Sequence, residues 1–109
     1  MAAAYQFRLL KKANWGIAID LFAEHLPLPP EPGNAFRITK DLWLAVEASV
    51  RLTEREIYFL KLGLRLVATD IARTKPGPIL VRLLQVDYNP TDYQPEGLTC
   101  AIVAWTSQV

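Results

Sequence analysis

Three groups of residues in this chain have the types that chemistry uses, and each has an ordinary structural reading beside it. His25 is the only histidine and follows Glu24, and a carboxylate beside an imidazole can serve as a proton-transfer unit. At the end of a strand the same pair reads as surface residues. Cys100 is the only cysteine; a nucleophilic thiol wants an electropositive, partly exposed setting and a base, and no histidine lies near it in sequence. A small, buried apolar role suits it better. One histidine, one cysteine and scattered carboxylates give no ligand spacing for a metal, so no catalytic residue, metal or cofactor is expected.

The third group is the loop DYNPTDYQPE, residues 87–96, which holds Asp87, Asp92 and Glu96 and is flanked by Tyr88 and Tyr93. Neighbouring carboxylates can bind a hard cation or do acid–base work. Ahead of a helix they also cap it and favour its positive end. Exposed tyrosines among acids suit protein recognition, because the ring supplies contact area at low entropy cost and the acids meet a basic partner. Tyr88, Asp92 and Tyr93 are therefore candidate partner-binding residues; the alternative is that the tyrosines pack the loop onto the sheet edge.

The elements that must position these residues can be read from periodicity. In residues 5–10 Tyr5, Phe7 and Leu9 alternate with polar residues, and Ile17, Ile19, Leu21 and Ala23 do so after Gly16, which predicts an antiparallel hairpin. LPLPPEPGNA, residues 26–35, holds four of the eight prolines and predicts a stiff, exposed connection. Its spacings Pro27 to Pro30 and Pro29 to Pro32 fit a polyproline ligand but lack a basic anchor. Twelve alternating residues, 41–52, predict a third strand. Thr53-Glu54-Arg55-Glu56 then spells a capping box that opens a helix with the stripe Ile57, Leu60, Leu64, Val67 and Ile71, ended by Lys75-Pro76-Gly77-Pro78. Residues 79–86 predict a strand inside the sheet. Pro95 and Glu96 open a closing helix with the stripe Leu98, Ile102, Trp105 and Val109. The order is βββαβα: a single α+β domain over residues 1–109, its mostly antiparallel sheet carrying both helices on one face.

That order, with VRLLQVDYNPTDYQPEGLTCAIVAW (residues 81–105) passing from a strand through a polar loop into an Ala-rich helix, resembles domain IV of elongation factor G and its ribosomal-protein-like fold relatives. The resemblance is one of fold. It implies an RNA- or ribosome-associated module as one function.

Charge and apolar surface favour a different function. Twelve basic and eleven acidic residues give +1, without the positive field that phosphate backbones reward. Nucleic acid is possible but not favoured, with Arg55, Lys61 and Arg65 as the one candidate stripe. There is no apolar run of membrane-span or signal-peptide length, and the lone cysteine forms no internal disulfide, so a cytoplasmic protein is expected. The first helix carries a second apolar row, Phe59, Leu62 and Leu66, and the closing helix has no charge after Glu96, which leaves Cys100, Val103 and Ala104 opposite its core stripe. Such a surface is unusual on a monomer. The expectation is a non-catalytic protein-binding domain, such as a small inhibitor, an immunity-type protein or an assembly subunit, in a homodimer or a heterocomplex. Phe59, Leu62 and Leu66 join the tyrosine loop as partner-binding candidates.

Overall fold

A computed structural model of the chain describes residues 2–12, 15–31, 33–75, 77–88 and 93–107, with side chains from residue 19 onward. Its strands are β1 (Ala2–Lys12), β2 (Trp15–Pro27), β3 (Phe36–Thr39), β4 (Leu42–Val46) and β5 (Ile79–Tyr88); α1 (Glu54–Thr74) follows β4 and α2 (Gly97–Thr106) follows β5. The five strands form one sheet in the order β1-β2-β5-β4-β3. Neighbours run antiparallel except β4 and β5, which are parallel because α1 carries the chain back between them. α2 lies over β1 and β2, α1 lies over β3 and β4, and the two helices pack on each other. One sheet face supplies Ile19, Leu21, Ala23, Leu42, Leu44, Val81 and Leu83 to a core that both helices close with Leu60, Leu64, Ile71, Leu98, Ile102 and Trp105. The molecule is thus the expected two-layer α+β fold, with one strand more than expected.

The extra strand and a shortened one have a common cause. Alternation through residues 41–52 predicts one long strand, but β4 stops at Val46, and the Val50 N–H turns back to the Glu47 carbonyl at 2.9 Å. Val50 and Leu52 still pack against the core from that loop. Apart from Ala48, which is exposed, period two therefore records which side chains are buried there, not whether the backbone is paired. Phe36 and Ile38 carry the same signal over four residues and form β3 on the far edge. The proline tract splits as well: β2 continues to Pro27, a strand end where a missing N–H costs nothing, and Gly33 turns the remainder at φ 66°.

The interior position of β5 follows from its sequence, since Ile79, Leu80, Val81 and Leu83 are all buried. Ile79 and Val81 face the core, so Leu80 between them is buried on the opposite side of the sheet. At the start of α1 the capping box closes: the Thr53 hydroxyl accepts the Glu56 N–H at 3.1 Å, and Glu56 Oε1 accepts the Thr53 N–H at 2.9 Å.

Candidate protein-binding surface

Because β4 and β5 are parallel, both deliver the chain to the same end of the sheet, and both helices start there. The helices then run side by side. Arg55 reaches Glu96 at 3.2 Å, the Thr99 hydroxyl donates to the Phe59 carbonyl at 2.7 Å, and Gly63 meets Ile102 and the Thr99 backbone. Tyr88, the last residue of β5, stacks on Tyr93 with ring centroids 3.7 Å apart and planes 15° from parallel. The Tyr93 hydroxyl donates to Glu56 Oε2. Glu56 is only 7% exposed. Burial pushes its carboxyl up, but hydrogen bonds from the Thr53 backbone, the Tyr93 hydroxyl and the Thr53 side chain outweigh this and hold it below the usual value. The Tyr93 phenol is driven far up, by burial first and then by Glu56. The start of α1, a place otherwise suited to an anion, is filled by the protein's own carboxylate.

The loop candidates divide. Tyr88 is 43% exposed, Tyr93 is half-buried and ties the loop to α1, and Asp92 lies outside the described residues. The other acids do not gather around one point. Asp87 accepts a hydrogen bond from the Gln85 amide, and Glu96 pairs with Arg55 without capping α2. Among the described residues no group of three His, Cys, Asp or Glu side chains is placed to hold a metal ion.

The helix candidates divide as well. Phe59 packs against the core, with Tyr58 edge-on at 5.3 Å and the Arg55 guanidinium 5.8 Å from its ring centre. Leu62 is half-buried, whereas Leu66 is 66% exposed. Tyr58, 56% exposed, stands in the same row, since residues 58, 62 and 66 are spaced by four and line one ridge of the helix. The outer row is therefore Tyr58 and Leu66, both exposed, with half-buried Leu62 between them and Phe59 behind as part of the fold. Sequence reasoning passed over Tyr58, though its spacing from Leu62 and Leu66 was the signal.

Cys100 is exposed rather than buried, because Leu98, Ala101, Ile102 and Trp105 occupy the inward side of α2. The neighbouring Val103 and Ala104 are half-buried. His25 is half-buried and sits edge-on to Trp105 with ring centroids 6.5 Å apart; burial, then nearby positive charge including Lys75, lowers its pKa. Adjacent strand residues face opposite sides, and Glu24 pairs instead with Arg82 at 2.5 Å. Nor do Arg55, Lys61 and Arg65 form one stripe. Arg55 is held by Glu96 on the α2 side, while Lys61 lies 4.9 Å from the Phe36 ring centre on the β3 side.

No protein-family model matches the chain, and no curated protein matches it.

Proposed function

We propose that this domain is a non-catalytic protein-binding module, in the manner of a small inhibitor, an immunity-type protein or an assembly subunit, and that the outer row of α1 meets the partner. The observation that carries the reading is the exposure of Leu66 (66%) and Tyr58 (56%) along one ridge with Leu62. A leucine and a tyrosine standing in water gain most from a surface that buries them, and an aromatic ring with an aliphatic neighbour is a common anchor of protein interfaces. Charge separates this reading from an RNA-binding one. Of the exposed arginines flanking the row, Arg55 and Arg73 are matched by Glu96 and Asp70, which weakens their pull on phosphate and leaves Arg65 as a single flanking charge rather than a basic stripe.

The test is light scattering on the purified chain, alone and with material that copurifies from its native lysate, repeated for Leu66→Glu. The reading expects a homodimer or a heterocomplex for the native sequence and a monomer for the variant. A monomer in both cases, with nothing copurifying, contradicts it.

A further inference from the structure

The parallel pair at the centre of the sheet is uneven. β4 ends where Val46 lies opposite Leu83, and the Glu47 N–H closes the ladder on the Leu83 carbonyl at 2.9 Å. β5 runs on to Tyr88, paired with β2 on its other side up to Ile19 apart from an irregularity at Leu84, which the register skips. Residues 84–88 therefore continue as a strand whose β4-side edge has no strand beside it among the described residues. At roughly 3.3 Å per residue that edge is about 16 Å long.

What singles out this stretch among the sheet's open edges is its second wall. A cavity of about 330 Å³ lies against it, lined by Leu84, Gln85, Asp87 and Tyr88 on the strand and by Ser49 and Arg51 on the loop opposite. That loop is anchored at both ends. Val50 and Leu52 pack into the core, and Thr53 locks the following helix by its capping box. The slot is thus built before any ligand arrives, which spares an incoming group the cost of ordering it.

We propose that this slot takes an extended peptide segment of a partner protein, added as a short strand along β5. The proposal rests on the protein-binding reading above and names a second contact for it. Main-chain groups of an extended segment can complete the ladder that β4 leaves off, as in other cases where a peptide joins a sheet edge. Charge sets the side-chain chemistry. Arg51 is exposed and makes no ion pair or hydrogen bond among the described residues, while Asp87 already accepts the Gln85 amide. Asp87 keeps its negative charge beside that neutral amide, and Arg51 is the lining charge that no described group of the chain engages, so the segment carries a carboxylate placed for Arg51, next to an apolar side chain for Leu84 and the exposed ring of Tyr88.

The test pans the purified chain against a phage-displayed library of random dodecapeptides and then titrates the enriched peptides, made synthetically, into ¹⁵N-labelled chain. Acidic peptides should be enriched, and they should shift the amide signals of residues 49–52 and 84–88. Arg51→Glu should weaken binding at least tenfold, and a peptide with its acid changed to lysine should recover the loss on that variant. Leu66→Glu should bind the peptides as the native chain does. Absence of enrichment over a control surface overturns the proposal. Shifts confined to Tyr58, Leu62 and Leu66 overturn the slot while supporting the outer row of α1 as a protein contact. If single-stranded oligouridylate moves the slot amides and no peptide does, the peptide assignment is wrong and the slot is a nucleotide site.

Discussion

Glu56 concentrates more of the local order than any other side chain described. One carboxylate oxygen takes the Thr53 N–H at 2.9 Å, and the other takes the Tyr93 hydroxyl. Removing the carboxylate strands two donors in a nearly buried place and opens the first turn of α1. Glu56→Ala should therefore lower stability by about 2–3 kcal/mol, and Tyr93→Phe by about 1–2 kcal/mol, in urea unfolding. The direction of the pKa shift gives a pH dependence. Glu56 sits below its usual 4.5 when folded, so its contribution is present above about that pH and is lost as pH falls through the lower, folded value. The urea midpoint of the native chain should drop more steeply below pH 4.5 than that of Glu56→Gln; equal slopes would show that another carboxylate dominates. The half of this site made by Thr53 and Glu56 was legible in the sequence, because a capping box is local and spans four residues. Its link to Tyr93 was not, since that contact depends on which strand ends beside which helix.

At the scale of elements, α1 and α2 approach closely at Gly63. A Cβ there would meet the Ile102 side chain and stand 2.8 Å from the Thr99 carbonyl oxygen. Ile102 can move, but a backbone oxygen shifts only if the helices separate. Gly63→Ala should then cost about 1–3 kcal/mol through overpacking, although alanine is favoured over glycine in a helix by about 1 kcal/mol. A raised melting temperature for this variant would mean that α1 and α2 are less tightly apposed than they stand. A glycine in mid-helix, with Thr99, Cys100 and Ala101 on the partner helix, was the signal available in the sequence. Leu60, Leu64, Val67 and Ile71 of the α1 stripe and Leu98, Ile102 and Trp105 of the α2 stripe were legible because burial repeats every three or four residues; Ile57 is only half-buried, and Val109 lies outside the described residues. The end of β4 was not, as Val50 and Leu52 keep the burial pattern after the backbone has left the sheet.

For the whole molecule, the order of elements fixed the layers but not which parts share a surface. The parallel step from β4 through α1 to β5 brings both helix starts to one end with the tyrosine pair. The outer row of α1 points to solvent, while Tyr93 is tied to the buried Glu56 on the inner side of that helix, so the two sets of partner-binding candidates face different ways. No periodicity within a segment carries that information; it comes from strand order. At Leu66 the account separates stability from binding. With 66% exposure, Leu66→Glu should change stability by no more than about 0.5 kcal/mol, as surface substitutions do. Binding should suffer far more, because a charge would be carried into a dry contact. The most direct measurement is quantitative capture from the native lysate on immobilised native chain and on Leu66→Glu, with circular-dichroism melts confirming that both are folded. The account predicts a specific partner, or the chain's own second copy, retained by the native protein and reduced at least tenfold on the variant. Equal capture by both would contradict it.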